Sequence, residues 1–246
     1  MRRVDYDDVA STYNRRYERN RYDGTRAALY EFLGDAANAD VAEVGCGTGH
    51  WLADVADSVR TIIGIDASWE MLRCAATDAC SALLIHARAE QLPLATASVD
   101  RVFCVNALHH FSDLATFANE ARRVLRSGGS LMSVGLDPHT ALDQWWIYDY
   151  FPGALAADRA RYLPAQTIRD TFEGAGFADV HTNLAQHIPA AVSFQLAVER
   201  GHIDRRSTSQ LLVISDAEYE GGLERMRQEQ PMLRADLRLF ATIGRV

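Results

Sequence analysis

The chain has 246 residues, and 48% of them are hydrophobic, so it is long enough to bury a sizeable core in one domain with an elaborated cap. Its formal net charge of −8 disfavours a large nucleic-acid surface, because that kind of binding depends on neutralising phosphates. No run of residues approaches transmembrane length, and the N-terminus lacks the apolar region of a signal peptide. These features predict a cytoplasmic protein with no nucleic-acid partner and no membrane partner.

The four cysteines show no metal-ligand spacing and fall in or beside predicted core elements. They are typical of reduced, buried thiols, and they predict no metal site. They are Cys46, Cys74, Cys80 and Cys104.

A glycine-rich turn is the first local feature that indicates a ligand. Residues 1–36 have mostly helical periodicity, and a short strand then leads into the run Glu43-Val44-Gly45-Cys46-Gly47-Thr48-Gly49. Glycine tolerates positive φ and has no Cβ, so such a turn lets the backbone approach a ligand, and the helix predicted over 51–58 points its first N–H groups at the same place. The dinucleotide fingerprint requires its third glycine at position 50, where this chain has His50. The turn therefore predicts a nucleotide-type site that departs from the NAD pattern.

The next three predicted strands each lead into residues suited to a site. The strand over 61–65 ends at Asp66, and an acid at the carboxyl end of such a strand can bind both hydroxyls of a ribose. The strand over 83–86 leads into Ala89-Glu90, and the strand over 99–105 leads into the segment Asn106 to His110. The sequence then predicts a helix over 114–125, a turn at Ser127-Gly128-Gly129 and a fifth strand over 130–136.

These features, together with residues 120–129, resemble those of class I S-adenosylmethionine-dependent methyltransferases of the small-molecule type, over about residues 5–137. The resemblance implies an α/β fold with a Rossmann-like, seven-stranded, mostly parallel sheet and helices on both faces. Its last strand is expected to be antiparallel and to lie between the fifth and sixth strands. The cofactor implied is S-adenosylmethionine, and the product is S-adenosylhomocysteine.

A single methyltransferase domain is predicted over residues 1–246. Residues 1–36 form an N-terminal helical lid, and residues 37–137 form the cofactor-binding core. A helix is predicted over 164–176, and strands are predicted over 177–184 and 237–243. The segments 138–165 and 186–234 are predicted to form a substrate cap, because a compact sheet does not need so long an insertion.

The resemblance assigns roles to individual residues. Glu43 orients the methionine end of the cofactor and the glycine turn, and Asp66 binds the ribose. Glu90 presents its carboxylate to the adenine amino group, although it can also be a surface acid in a loop. Tyr13 resembles an aromatic residue of the lid, with helix packing as its alternative. The predicted cofactor-binding residues are Tyr13, Glu43, Gly45, Cys46, Gly47, Asp66, Ala67, Met71, Ala89, Glu90 and Asn106.

Several of these residues also have a plain structural interpretation. Cys46 can simply be a small residue in the turn, and Met71 can be helix core instead of a wall of the adenine pocket. Asp66 can cap the segment that begins at Ser68.

The histidine pair after the fourth strand is the predicted catalytic group. Methyl transfer is an in-line displacement, so the protein must hold the nucleophile, the methyl carbon and the sulfur collinear. If the nucleophile carries a proton, a base must take it, and an unperturbed imidazole titrates near pH ~6.5. Only one of His109 and His110 is expected to face the site, while the other packs or caps the next helix, whose N-cap is Ser112 or Asp113.

An aromatic run after the fifth strand is the predicted acceptor site. The segment 145–151 holds five aromatic residues, which favour either an aromatic-walled pocket or a helix that packs on the core. Asp137 and His139 lie where a group could orient the acceptor. The predicted substrate-binding residues are Asp137, His139, Trp145, Trp146 and Tyr148.

The sequence thus predicts an enzyme that methylates an O or N atom of a small, aromatic or apolar molecule. It predicts a monomer or a homodimer. The alternatives are a methyltransferase that acts on RNA or protein, and a protein of the same fold that binds S-adenosylmethionine for other chemistry.

Overall fold

The structure is a computed structural model that describes residues 14, 17, 20–78 and 81–246. Contacts along the chain divide it into two compact units. The sheet unit contains the described residues before Leu136, together with Ala165–Gln186 and Leu239–Val246. The helical unit contains Leu136–Pro164 and His187–Arg238. Nearly all residues of the two predicted cap segments therefore fall in one unit.

Eight strands form one hydrogen-bonded sheet in the order β3-β2-β1-β4-β5-β8-β6, and β7 pairs with β8. The strand order confirms the prediction that the last strand lies beside the fifth, in a mostly parallel sheet with an antiparallel last strand. The strands are β1 (Asp40–Val44), β2 (Thr61–Asp66), β3 (Leu83–His86), β4 (Val99–Val105), β5 (Leu125–Leu136), β6 (Gln144–Trp145), β7 (Ala178–Ser193) and β8 (Met232–Arg245).

The strands differ from the sequence prediction in several places, and β7 and β8 are both longer than predicted. β5 begins at Leu125 and includes the predicted turn at Ser127-Gly128-Gly129. The backbone there is paired, because Gly128 N–H donates to Val246 O (3.0 Å) and Val246 N–H donates to Gly129 O (2.9 Å). A further difference is β6, an additional strand of two residues that pairs antiparallel with β8 through Gln144 and Asp236.

Ten α-helices are present in the part of the chain that the structure describes. They are α1 (Asp23–Leu33), α2 (His50–Val55), α3 (Trp69–Asp78), α4 (Leu114–Val124), α5 (Trp146–Tyr150), α6 (Pro152–Arg161), α7 (Ala165–Gly174), α8 (Phe194–Glu199), α9 (Ser209–Val213) and α10 (Asp216–Glu229). Three 3₁₀ turns lie at Ala56–Ser58, Leu108–His110 and Arg205–Ser207. None of these helices is both long and apolar enough to cross a membrane.

Each unit has its own hydrophobic core. In the sheet unit, α4 buries Phe117, Ala121 and Val124, whose spacing of four and three residues places them on one helix face. That face packs on apolar side chains of the sheet such as Val44 and Ile65. The same helix begins at its N-cap Asp113, whose carboxylate accepts hydrogen bonds from Ala115 N–H and Thr116 N–H, so the second of the two predicted caps is the correct one.

In the helical unit, aromatic and aliphatic side chains from α5, α8 and α10 pack together. Ser193 caps α8 by accepting from Leu196 N–H, and Ser215 caps α10 by accepting from Glu218 N–H. Trp146 and Phe151 lie in this core, so at least part of the aromatic run is used for packing.

Candidate functional site

The glycine turn after β1 has the backbone that its sequence predicts. Gly45, Gly47 and Gly49 have φ of 75°, 52° and 81°, which is the left-handed region that glycine enters without penalty. Gly45 N–H donates to Ile65 O (2.7 Å), so the turn is fixed to the end of β2. A Cβ on Gly45 would lie 2.4 Å from the Cβ of Ala107, and only glycine fits there.

Asp66 closes the other side of this turn. Its Oδ2 accepts from Gly47 N–H (2.7 Å), and its Oδ1 accepts from Ser68 N–H (2.8 Å). Burial raises the pKa of this carboxyl group, and the hydrogen bonds from Ser68 and Gly47 work in the opposite direction. Asp66 therefore caps the Ser68 segment and braces the turn, and each carboxylate oxygen keeps a further lone pair for a ligand.

Glu43 is the deepest polar residue of the site. It is 1% exposed at the end of β1, and its Oε2 has no hydrogen-bond partner among the described residues. Burial, with the nearby Asp66 carboxylate, raises the pKa of Glu43 well above its usual value. A buried polar atom without a partner is rare in native proteins and calls for an explanation such as a ligand.

The remaining predicted residues near the turn are mostly apolar or small. Cys46 is buried, and burial together with Glu43 and Asp66 raises the pKa of its thiol, so it is an unreactive part of the turn. Met71 is 2% exposed in α3, and Ala67 is exposed, with its carbonyl oxygen 2.9 Å from His86 Nε2. Ala89 is buried in the core of the sheet unit.

Glu90 has partners that the sequence did not reveal. Its Oε1 accepts from Ser112 N–H (2.5 Å), from Ser112 Oγ (2.8 Å) and from Asp113 N–H (3.3 Å). Burial raises the pKa of Glu90, but the hydrogen bonds from Ser112 and Asp113 outweigh it and the net shift is downward. Glu90 is thus an ionised carboxylate that holds the residues at the start of α4 in place. A hydrogen bond from an adenine amino group would use its remaining lone pairs.

The segment after β4 carries the histidine pair. Asn106 has φ of 51°, an uncommon value for a residue other than glycine, and its N–H donates to Val134 O (2.7 Å). His109 and His110 lie on the 3₁₀ turn Leu108–His110 with ring centroids 3.8 Å apart. His109 is half-buried, whereas His110 is exposed.

The predicted substrate residues belong to the helical unit. Asp137 is buried, and its Oδ1 accepts from His139 N–H (3.0 Å), while His139 Nε2 lies 2.9 Å from Tyr162 O. The Trp145 and Tyr148 rings meet edge to face at 5.3 Å.

Tyr148 is held by a buried acid that the sequence did not single out. Tyr148 Oη donates to Asp158 Oδ2 (2.7 Å). Burial and the Asp158 carboxylate raise the pKa of Tyr148 above its usual range, so the hydroxyl stays a donor. Trp146 packs in the core of the unit, and Tyr13 lies outside the described residues.

Sequence reasoning therefore found the turn and both acids that face it. It missed Ala107, which walls Gly45, and Ser112, which holds Glu90. Ser112 could have been found only as a cap candidate, because its contact with Glu90 joins residues 22 positions apart.

The residues present fit the cofactor that the resemblance implies. Glu43 offers an unsatisfied buried oxygen to a cationic group, and the left-handed turn brings backbone close to a ligand. Asp66 offers acceptor positions to hydroxyl groups. No group of three or more His, Cys, Asp or Glu side chains in the described ranges is placed to hold a metal ion.

Comparisons with known proteins agree with this assignment. Residues 42–133 match the family model of a methyltransferase domain. The methyltransferase YcgJ of Bacillus subtilis is 34% identical over 99 residues, which cover 38% of this chain and 39% of YcgJ. A malonyl-[acyl-carrier protein] O-methyltransferase of Hamiltonella defensa is 30% identical over 104 residues, which cover 42% of this chain and 40% of that protein. The matched region thus spans less than half of the length of these curated relatives.

Solved structures extend the likeness to the whole fold. The crystal structure of YcgJ superposes with a TM-score of 0.65 at 19% identity and covers 91% of this chain and 98% of YcgJ. Phosphoethanolamine N-methyltransferase 2 of Haemonchus contortus, solved with phosphomonomethylethanolamine and S-adenosylhomocysteine, gives a TM-score of 0.61 at 15% identity. That match covers 99% of this chain and 60% of the other chain. At these identities the likeness establishes the Rossmann-like fold.

Proposed function

We propose that this chain, a member of the class I S-adenosylmethionine-dependent methyltransferases, transfers a methyl group from S-adenosylmethionine to an oxygen or nitrogen atom of a small molecule. The observation that carries the proposal is the juxtaposition at the ends of β1 and β2. There, an unsatisfied buried carboxyl group, a left-handed glycine turn and a second acid lie side by side.

Each of these groups has a task in binding and orientation. The cofactor, when bound, supplies an electrophilic sulfonium methyl group. Asp66 accepts hydrogen bonds from the ribose hydroxyls and keeps the turn in place through Gly47. Glu43 attracts the positively charged end of the cofactor, and Gly45 lets the backbone close over it. Holding the reacting atoms in line is worth roughly 7–11 kcal/mol at best, so orientation is the main contribution of the protein.

His109 is the better candidate of the pair for a general base. It is half-buried on a 3₁₀ turn that follows the carboxyl end of β4, whereas His110 is exposed. A half-buried imidazole can take a proton from an acceptor hydroxyl or ammonium group while water is excluded. We expect His109→Ala to lower the turnover rate about 10²–10⁴-fold, the usual contribution of a positioned base. An effect within about threefold of wild type at both positions would remove this role.

The acceptor is proposed to bind at the helical unit, which holds the predicted cap segments. Trp145 and Tyr148 remain partly accessible there, and their paired rings support a flat or apolar ligand. Of the three proteins named above, one is an O-methyltransferase and one is an N-methyltransferase, which supports either acceptor atom for this chain.

Calorimetry with S-adenosylhomocysteine tests the cofactor half of the proposal. Wild-type protein is expected to bind one equivalent, and Asp66→Asn is expected to bind more weakly. Folded wild-type protein that gives no binding heat and no thermal stabilisation would refute the assignment.

The acceptor is then sought by incubating the protein with methyl-labelled S-adenosylmethionine and panels of amines, phenols and carboxylic acids. Transfer of label to RNA or protein alone would favour a macromolecular acceptor.

A further inference from the structure

Among the described residues, no side chain compensates the charge that a Glu43 carboxylate would carry. In the parallel register of the sheet, its neighbours are Gly64 on β2 and Phe103 on β4, and neither side chain can donate a hydrogen bond. Its Oε2 is buried without a partner, and no ion pair involves it among the described residues. The sequence contains no lysine, so a protein cation at this position would have to be an arginine or a histidine.

The titratable groups that surround Glu43 in the described part of the chain do not supply positive charge. Asp66 at the end of β2 is an acid that raises the cost of a second negative charge. Cys46 in the turn and Cys104 on β4 are buried thiols whose pKa values are raised by burial and by Glu43. Both thiols are therefore neutral neighbours.

One more element, α2, packs beside this position. A Cβ on Gly64 would meet Leu52 Cδ1 of α2 at 2.4 Å. The titratable residues of α2 are His50, which stacks on Tyr17 at 3.5 Å, and Asp54, which is paired with Arg26 (Oδ1–Nε 2.9 Å). The charge of Asp54 is thus already matched.

We propose that Glu43 is a neutral carboxylic acid in the ligand-free protein and releases its proton to solvent when the ammonium group of the cofactor binds beside it. This inference rests on the proposed function, because it requires the methionine end of the cofactor to lie near Glu43. The step is a simple dissociation: the carboxyl O–H bond breaks, the proton passes to the buffer, and the carboxylate remains paired with the ligand cation.

The physical reason is the cost of burying charge. An unpaired buried carboxylate is so unfavourable that the group takes up a proton instead, and burial and Asp66 act in that direction here. A cation within about 4–6 Å favours the charged form and lowers the pKa of a carboxyl group by roughly 1–3 units. Glu43 therefore binds fewer protons in the complex than in the free protein.

The sign of the pH dependence follows from linkage. Because a proton is released on binding, affinity rises with pH wherever free Glu43 is neutral and bound Glu43 is ionised. Within that window, the affinity for S-adenosylhomocysteine is expected to rise by up to about tenfold per pH unit. It levels off once the pH exceeds the pKa of Glu43 in the free protein.

The decisive experiment is calorimetry of S-adenosylhomocysteine binding at pH 7 in two buffers with very different ionisation enthalpies. The dependence of the binding heat on buffer gives the number of protons released per ligand. Wild-type protein is expected to release up to one proton more than Glu43→Gln measured under identical conditions. Subtracting the variant cancels contributions from His50, from Asp66 and from the ligand itself.

A second ligand tests whether the ammonium group causes the proton release from Glu43. 5′-Methylthioadenosine has the adenosine and the thioether but lacks the amino-acid end, so it is expected to bind without the Glu43 proton release. Equal release with both ligands would overturn the role of the ammonium group.

An infrared measurement covers the case in which Glu43→Gln binds too weakly for calorimetry. Ligand binding to wild-type protein should remove the absorption of a protonated carboxylic acid, and the free variant should lack that absorption. S-adenosylhomocysteine that binds with no proton release and no infrared change overturns this inference and leaves the proposed function intact. Absence of binding overturns both.

Discussion

Glu43 of the sheet unit and Asp158 of the helical unit are both buried, but their carboxyl groups have opposite surroundings. In the sheet unit, Glu43 is 1% exposed and its Oε2 has no hydrogen-bond partner within the described ranges. In the helical unit, Asp158 is 0% exposed, and its carboxylate accepts from Tyr148 Oη, Gln210 Nε2 and the guanidinium of Arg161. Both residues are buried acids, but only one is satisfied by the protein.

This difference separates a structural acid from a binding acid. A buried ion pair with all its hydrogen bonds made holds its surroundings in one arrangement, and removing one member leaves the others uncompensated. A buried acid with an unmade bond costs stability in the free protein and is expected to regain it from a ligand. Asp158 thus belongs to a completed hydrogen-bond network, whereas Glu43 keeps an unmade hydrogen bond at the end of β1.

The largest predicted effect compares these two acids directly. Asp158→Ala is expected to lower the free energy of unfolding by about 3–5 kcal/mol, because it strands the Arg161 guanidinium and the Tyr148 hydroxyl in a buried site. Glu43→Gln is the comparison variant, and it is expected to change stability by less than about 1 kcal/mol, since the Oε2 atom of Glu43 has no hydrogen-bond partner among the described residues. Urea unfolding of ligand-free protein measures both. Equal losses in the two variants would contradict the distinction between them.

The glycine turn gives the next largest effect. Gly45→Ala forces a left-handed alanine and a 2.4 Å contact with Ala107 Cβ, and overpacking and strain together cost about 2–4 kcal/mol. Gly128→Ala is the control, because Gly128 has a similar φ of 78° but nothing within 4 Å of its added Cβ. Gly128→Ala should lower the free energy of unfolding by only about 1–2 kcal/mol. Unfolding and S-adenosylhomocysteine binding are measured for both, and a Gly45→Ala protein that binds as wild type would show that the turn does not approach the ligand.

Local sequence patterns predicted strands and turns around the site, because residues that are close in the sequence determine the backbone conformation there. β3 and β4 have the predicted boundaries, and β4 is a mostly buried strand that carries the β-branched residues Val99, Val102 and Val105. Asp66 and Glu43 followed from their place at strand ends in the resembled family. The cross-strand neighbours of Glu43, which are Gly64 and Phe103, follow from the parallel strand order.

Contacts between distant residues were not predictable in this way. β7 extends to Ser193 although it contains Pro189, which has no N–H and therefore argues against a central strand. The proline is tolerated because β7 lies at an edge of the sheet that the described residues form, where it pairs with β8 alone. The Glu90 contact with Ser112 and the burial of Asp158 have no local signature, because acids in loops and helices are usually exposed.

Asp66→Asn tests the role of this acid in ligand binding, and its predicted effect is intermediate in size. The amide keeps one acceptor but loses the charge that strengthens hydrogen bonds from Gly47 N–H and from a ligand hydroxyl. We expect S-adenosylhomocysteine to bind about 10–100-fold more weakly, in line with roughly 1.5–3 kcal/mol for hydrogen bonds to a charged group. Glu70→Gln, which removes an exposed ion pair with Arg73, should leave binding unchanged. Similar losses in the two variants would indicate a general electrostatic effect in place of a ribose contact.

The smallest predicted effect lies at the other end of β1, where an acid is satisfied but close to solvent. Asp40 Oδ1 accepts from Arg60 Nε (2.9 Å) and Oδ2 accepts from Arg126 Nη2 (2.9 Å), and the Arg60 hydrogen bond is the main cause that lowers the pKa of Asp40 from 3.8 to about 2.

Because the folded-state pKa is lowered, this stabilisation is present above about pH 4 and is lost as the pH falls through about 2. Arg60 is 54% exposed, so screening limits the gain to about 0.5–1 kcal/mol. Asp40→Asn should therefore lower stability by that amount at pH 7 and flatten the acid limb of the stability curve between pH 4 and pH 2. The exposed pair of Glu224 and Arg227 is the matched control, and Glu224→Gln should leave the acid limb as it is. An acid limb that Asp40→Asn leaves unchanged would mean that solvent screens this pair as fully as an exposed one.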